Sequence, residues 1–186
     1  MKLLEMKKKV LGLIEELNPN SELLTDDPDI ATKINDVINQ IMFELIRFKK
    51  LPGYVEIPVK AGDLITFDSI ERASKYEVYQ IAVVRGIPCD YKAQGTVIKA
   101  LEDGIAEVEY FKYPERISEK TKDSYEFELP NDVLEIMVYG VAGDLLNSDI
   151  STDYGRIYSE RYEDMKQVLD PRYAMGSIYF EGGVSI

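Results

Sequence analysis

The spacing of apolar residues changes twice along this chain, and these changes limit the fold more than any other feature. Over residues 3–17 and 30–48, apolar side chains recur every three or four positions, which predicts two amphipathic helices. From Tyr54 the spacing falls to two, as in β-strands, and it returns to helical spacing after Pro130. We therefore expect a helical part that is interrupted by a β-rich part.

Local signals mark the ends of the first two helices. Asn18-Pro19 stops the first helix, because proline cannot continue a helical hydrogen-bond pattern. Asp27 and Pro28 provide an N-cap and a first-turn proline for the second. Lys49-Lys50 then supplies the positive charge that favours a helix C-terminus.

The β-rich middle contains five or six strand-like runs. The clearest local signal is Glu102-Asp103-Gly104, a turn sequence that predicts a hairpin between residues 95–101 and 105–113. The other strand-like runs are residues 54–59, 64–67, 76–84 and 125–129.

The predicted fold class is α+β, with a helical bundle of about four helices and an inserted small antiparallel β domain, either sandwich-like or barrel-like. Residues 1–50 and 130–170 would form the bundle, and residues 51–129 the β domain. Residues 171–186 would form a C-terminal tail.

The third long helix, after Pro130, contains three small residues that leave little side-chain bulk near its apolar face. Gly140, Ala142 and Gly143 lower its intrinsic helix propensity. Close packing of a neighbouring helix would compensate for that loss. A last helix is expected over residues 152–169.

Groups that carry bond-making chemistry are scarce. The chain has no histidine, so the commonest general base and metal ligand is missing, and neither familiar nucleotide-binding loop occurs. Cys89 is the only cysteine, and we interpret it as a buried or incidental residue rather than a reactive thiol. We expect no enzyme activity, no cofactor, and no catalytic, metal-binding or cofactor-binding residues.

Two acidic patterns were weighed against that expectation. Alternating acids such as Glu107 and Glu109 suit a solvated strand face better than an acid/base pair. A calcium loop starting at Asp149 would need glycine at its sixth position, which Tyr154 occupies.

The chain is acidic, with a formal net charge of −12. Such a surface repels a phosphate backbone, so it suits a basic protein partner or a passage through which DNA slides without binding. Neither a signal peptide nor a membrane span is visible, so we expect a soluble protein made in a cytoplasm.

Aromatic residues provide the candidate interaction sites, since the chain has thirteen tyrosines and no tryptophan. Tyr154, Tyr158 and Tyr162 share a helical stripe, which either lines the bundle core or forms a subunit interface. The tail, which either folds back on its own chain or docks on a neighbour, contains four further candidates. These are Tyr173, Ile178, Tyr179 and Phe180.

The order of elements and several local patterns resemble the head–tail connector (adaptor) proteins in the necks of tailed bacteriophages or prophages. The residues that carry the resemblance are Thr25-Asp-Asp-Pro-Asp-Ile30, Tyr110-Phe-Lys-Tyr-Pro114, Leu129-Pro-Asn-Asp132, Tyr139-Gly-Val-Ala-Gly-Asp-Leu-Leu-Asn-Ser-Asp149 and Tyr158-Ser-Glu-Arg-Tyr162. The large β middle makes the chain more similar to members with an inserted β domain.

The resemblance implies a structural virion protein. Such proteins form a ring, typically dodecameric, between the portal protein and the tail or stopper proteins, and they extend the DNA channel. It also implies that the tail residues Tyr173, Ile178, Tyr179 and Phe180 contact the portal. The site of action would be the virion neck, after assembly in the bacterial cytoplasm.

Two other hypotheses stay open at this point. One is a non-catalytic cellular or prophage-encoded module whose β domain holds a peptide or small ligand. The other is an enzyme that uses a carboxylate pair.

Overall fold

The computed structural model describes residues 1–18, 24–92, 97–146 and 153–169. The chain folds into two compact units. Unit 1 comprises Met1–Lys49 and Arg116–Ile186, and unit 2 comprises Lys50–Glu115. The first boundary lies one residue from the predicted one, whereas the second lies fourteen residues earlier than predicted.

Helices and antiparallel sheets both occur in the described residues, so the fold class is α+β, as predicted. The helices are α1 (Leu3–Leu13), α2 (Pro28–Leu45), α3 (Phe67–Ser74), α4 (Asn131–Leu146) and α5 (Tyr154–Leu169). The strands are β1 (Leu51–Val59), β2 (Leu64–Thr66), β3 (Val78–Arg85), β4 (Cys89–Lys92), β5 (Val97–Ala100) and β6 (Gly104–Lys112).

Helix α4 is the most buried helix of unit 1, and it contacts α1, α2 and α5. Its apolar residues surround the helix instead of forming one stripe, which is the pattern of a helix enclosed by neighbours. Its buried apolar side chains are Val133, Leu134, Ile136, Met137, Val138, Val141 and Ala142.

The start of α2 follows the predicted capping chemistry. The Asp27 carboxylate accepts hydrogen bonds from the backbone N–H of Asp29 (2.8 Å) and of Ile30 (3.2 Å), with Pro28 in the first turn. These bonds satisfy donors that have no partner inside the helix.

Helix α1 ends at Leu13, four residues earlier than predicted. The backbone N–H of Glu16 bonds to the carbonyl of Leu11 at 2.9 Å, and Glu15 has a φ of 61°. This is a Schellman-type ending with glutamate at the left-handed position where glycine is usual. The apolar spacing continued past the true end, so it did not reveal this stop.

Residues 116–129 belong to unit 1, and the strand predicted over 125–129 is absent. Glu126 forms only an isolated bridge with Lys2, while the backbone N–H of Leu3 bonds to the carbonyl of Tyr125 at 2.9 Å. Phe127 and Leu129 are buried in unit 1. An alternating pattern was therefore read as a strand, although the segment pairs with the start of α1 rather than with a sheet.

Unit 2 contains two three-stranded antiparallel sheets, ordered β1-β6-β3 and β2-β5-β4. Both sheets contribute buried side chains to one core, and Ile70 of α3 joins them. The other fully or nearly buried members are Val59, Ile65, Val78, Val84, Ile98, Ala100, Ala106, Val108 and Tyr110.

The predicted hairpin around Glu102-Asp103-Gly104 is wrong, because β5 and β6 lie in different sheets. The Asp103 carboxylate accepts a hydrogen bond from the backbone N–H of Ala61 at 2.7 Å. Ala100 also exchanges backbone bonds with Gly62 (2.8 Å) and Asp63 (2.9 Å). The turn residues thus bind a distant turn, and their local chemistry did not determine which strands pair.

The sequence pattern does not predict helix α3, and its first residue, Phe67, falls in the strand predicted over residues 64–67. Thr66 and Ser69 form a capping box, with bonds between backbone and hydroxyl of 2.9 and 3.4 Å. The signal Thr-x-x-Ser was present, but the run is only eight residues long and only Ile70 is buried.

Candidate assembly surface

The three tyrosines of the predicted stripe have different surroundings. Tyr154 is 57% exposed, Tyr158 is half-buried, and Tyr162 is only 5% exposed. Each step of four residues turns about 40° around a helix, so two steps carry the stripe from the outer to the inner side of α5. The prediction that Tyr162 forms part of an interface is therefore wrong, because its ring lies inside unit 1.

Helix α5 packs closely on α4 where small residues meet. A Cβ atom added to Gly143 would lie 2.6 Å from the Ser159 Oγ and 3.0 Å from the Ser159 backbone nitrogen. One added to Gly140 would lie 2.9 Å from the Tyr162 ring. The predicted compensation for the small residues of α4 is confirmed, since α5 fills the space that they leave.

An ionic contact ties α5 to α2. The Lys166 ammonium donates to Glu44 of α2 at 2.5 Å and to Glu163 at 2.6 Å, and it lies 4.6 Å from the centre of the Tyr162 ring. Burial alone would lower the pKa of Lys166, but the bonds to Glu163 and Glu44 outweigh it and raise the pKa. The inner side of α5 is thus fixed by packing and by charge.

Burial also acts on the neighbouring tyrosine. It raises the pKa of the Tyr162 phenol, and the charge of Glu44 acts in the same direction. The phenol therefore stays neutral at physiological pH and serves as part of the packed interior.

The outer side of α5 differs sharply. Tyr154, Ile157 and Val168 lie within an arc of about 60° and are 57%, 46% and 79% exposed. We call these three residues the α5 stripe. Arg161 is exposed within the same arc, with its guanidinium 4.5 Å from the centre of the Tyr139 ring. Exposed apolar residues that share one side of a helix over several turns offer a surface for contact with another protein.

A cavity of about 180 Å³ adjoins the first residue of the stripe. It is lined by both aromatic and acidic side chains, and it lies where α1 ends. We call it the end cavity, and its lining residues are Leu13, Ile14, Glu15, Glu16, Leu146, Tyr154 and Tyr158.

A larger and more open cleft, of about 410 Å³, lies on unit 2. Its lining is mainly apolar, and the Tyr54 hydroxyl beside it donates to the Glu56 carboxylate at 3.0 Å. We call it the β cleft, and it is lined by Pro52, Gly53, Tyr54, Ala82, Glu109, Tyr110 and Phe111.

The acidic strand residues lie at the surface of their strands. Glu107 is opposite Glu56 in the β1–β6 register, and Glu109 forms an ion pair with Arg85 at 2.5 Å. In the described ranges, no group of three or more histidine, cysteine or acidic residues is arranged to hold a metal ion. Asp149, considered for a calcium loop, lies outside those ranges.

Cys89 is half-buried, and its thiol lies 3.6 Å from the carbonyl oxygen of Ile87. Burial raises the pKa of this thiol, which disfavours the reactive thiolate. The tail candidates Tyr173, Ile178, Tyr179 and Phe180 lie outside the described residues.

Sequence reasoning named Tyr154 and Tyr158 as candidates for an interface, which stays a prediction, but missed Ile157 and Val168 as surface residues. Their helical spacing was visible, but spacing alone does not distinguish an outer apolar stripe from an inner one. It also missed Glu15 and Glu16, whose part in the end cavity depends on the unexpected end of α1.

No helix in the described portion of the chain has both the length and the apolar character needed to cross a membrane. No protein-family model matches the chain, and neither does any curated protein.

Proposed function

We propose that this protein is a non-catalytic assembly subunit of the head–tail connector type. In this proposal, copies of the chain form a ring between a portal protein and the tail or stopper proteins, and the ring extends the DNA channel of the virion neck. Helices α1, α2, α4 and α5 of unit 1 act as the bundle from which the ring is built.

The observation that carries the proposal is the α5 stripe. Its three side chains are not needed to hold α5 in place, because the inner side of the helix already packs on α4 and binds Glu44 of α2. An amphipathic helix that offers a second apolar side to its surroundings suits docking into a groove of another protein.

The charge of the chain also supports this function. A net charge of −12 disfavours tight binding of DNA to the protein surface. A channel must let DNA slide, so a repulsive wall suits the proposed role better than an attractive one. The same charge favours partners with basic surfaces.

The tail has its own part in the proposal. Tyr173, Ile178, Tyr179 and Phe180 are proposed to contact the portal, as the resemblance implies. Replacing these four residues with serine should leave the fold intact but abolish docking to a portal ring. Circular dichroism and co-sedimentation would measure the two properties, and undiminished docking would refute the tail assignment.

Negative-stain imaging of the concentrated protein, with and without a candidate portal, tests the proposed function. The expected result is closed rings of uniform diameter that stack on the portal. A field of single particles under both conditions would refute the proposal.

The β cleft favours a second candidate function, a binding module for a peptide or small ligand. Its volume of about 410 Å³ lies within the range of known ligand sites. In that case a ligand library should contain compounds that raise the melting temperature saturably, and Tyr54→Ala should remove the effect. Without any such compound, this candidate would be abandoned.

A further inference from the structure

The end cavity of unit 1 combines an aromatic wall with acidic side chains. One wall is aromatic, made by Tyr154 and Tyr158, whose ring centres are 6.5 Å apart with planes inclined by 22°. The lining also contains the negatively charged carboxylates of Glu15 and Glu16, which are both exposed.

The aromatic wall is held in place by the backbone of α1. The Tyr158 hydroxyl donates a hydrogen bond of 2.8 Å to the carbonyl oxygen of Leu13, the last residue of that helix. Burial raises the pKa of Tyr158, and the nearby Tyr154 and Glu15 act in the same direction. The ring therefore presents a fixed π face beside a negative charge.

The cavity is electrostatically negative for a second reason. Helix α1 ends at the cavity, and its last turn contains no basic residue. The C-terminal end of a helix dipole carries partial negative charge, which adds to the two carboxylates. Among the described residues, neither Glu15 nor Glu16 takes part in an ion pair.

Two other aromatic rings of unit 1 already have a cation of their own. Arg116 lies 4.6 Å from the centre of the Phe43 ring, and Arg161 lies 4.5 Å from that of Tyr139. Within the described ranges, no such cation covers Tyr154 or Tyr158. The end cavity is thus an aromatic site of unit 1 to which the described residues supply no positive charge.

We propose that the end cavity binds the guanidinium group of an arginine on a partner protein. The inference rests on the proposed assembly function, because it names the chemistry of the side chain that a docking partner would insert beside the α5 stripe. A planar guanidinium stacks on a tyrosine face and bonds to a carboxylate at the same time. A compact ammonium is more strongly hydrated and stacks less well.

A small probe separates this inference from the proposed function. N-acetyl-arginine amide is titrated into the full-length protein at low salt, while NMR follows the ring protons of Tyr154 and Tyr158. The expected result is saturable binding at millimolar concentration, with weaker binding of N-acetyl-lysine amide. The neutral analogue N-acetyl-citrulline amide should not change the chemical shifts of the ring protons of Tyr154 and Tyr158.

Two pairs of substitutions control for the overall charge. Glu15→Gln with Glu16→Gln should abolish the saturable shift, whereas Glu102→Gln with Glu119→Gln makes the same charge change at exposed sites that do not line the cavity. Tyr154→Leu should weaken binding roughly 2- to 5-fold, as expected for loss of one exposed cation–π contact.

Several results would overturn the inference. The first is that the arginine probe leaves the ring-proton signals of Tyr154 and Tyr158 unchanged. The second is that the citrulline analogue binds as tightly as the arginine probe, or that the lysine analogue binds more tightly. The third is that both pairs of glutamate substitutions weaken binding of the arginine probe equally. Ring formation seen by imaging would survive each of these results, so failure of the cavity assignment can be told from failure of the assembly function.

Discussion

The inner and outer sides of α5 differ in how far contacts within unit 1 cover them. On the inner side, Gly143 and Tyr162 fit against neighbouring atoms, and Lys166 binds Glu44 of α2. On the outer side, the α5 stripe (Tyr154, Ile157 and Val168) is largely exposed. The contrast teaches that packing within unit 1 accounts for one side of the helix, and the other side is where we propose contact with a second polypeptide.

If this comparison is right, substitutions on the inner side should lower stability and those on the outer side should not. The largest loss is expected for Gly143→Val, because a Cβ at this position already meets both side chain and backbone of Ser159. We expect a loss of about 2–3 kcal/mol in the free energy of unfolding. Urea denaturation followed by circular dichroism measures it.

The matched control is Gly12→Ala in α1, where an added Cβ meets no atom within 4 Å. Replacing glycine inside a helix should raise the free energy of unfolding by about 0.5 kcal/mol. Equal losses for the two glycine variants would show that packing of α5 on α4 is not the cause.

A smaller loss is expected for Lys166→Met, which keeps the apolar stem but removes the bonds to Glu44 and Glu163. Because Glu44 is partly exposed, we expect about 1 kcal/mol. Between about pH 8 and 10.5 the difference from the wild type should be constant, since the folded pKa of Lys166 is raised. It should shrink as pH rises through that folded pKa.

Urea denaturation of both proteins at several pH values between 8 and about 12 checks this dependence. A difference that grows with pH would contradict the sign of the linkage, and a difference of zero throughout would mean that Lys166 does not tie α5 to α2.

The smallest effect on folding is expected on the outer side. Val168→Asp should change the free energy of unfolding by less than about 0.5 kcal/mol, because the side chain is 79% exposed. Thermal unfolding at low protein concentration measures it. A loss as large as that of Gly143→Val would mean that the stripe is part of the core, and the comparison would fail.

The helices were predictable from sequence where strong local signals coincide. Asp27 and Pro28 mark the start of α2, and the small residues of α4 predict that another helix packs closely against it. Helix α3 was not predicted, because it is short and its N-cap residue, Thr66, is also the last residue of a strand.

Pairing in unit 2 was not predictable for a different physical reason. Strands β5 and β6 both alternate and are joined by a turn-forming sequence, yet they do not pair with each other. Strand β5 pairs with β2 and with the preceding strand β4, whereas β6 pairs with β1 and β3. Contacts such as that of Asp103 with the backbone of Ala61 depend on tertiary structure and leave no local trace.

The candidate site was only partly predictable. Helical spacing identified Tyr154, Tyr158 and Tyr162 as neighbours, but the side of the helix that faces the core depends on where α4 packs. The end cavity depends in addition on Glu15 in a left-handed conformation, which sequence patterns would assign to glycine.

The central claim is that the outer side of α5 binds another protein chain, and the simplest such chain is a second copy. Light-scattering mass over a concentration series tests it for the wild type, for Ile157→Asp with Val168→Asp, and for Leu64→Asp with Ile105→Asp at similarly exposed sites of unit 2. We predict that the wild type and the unit 2 variant rise above the monomer mass of 21.2 kDa while the α5 variant stays there. Association of the α5 variant as strong as that of the wild type, or a monomeric wild type at every concentration, would contradict the account.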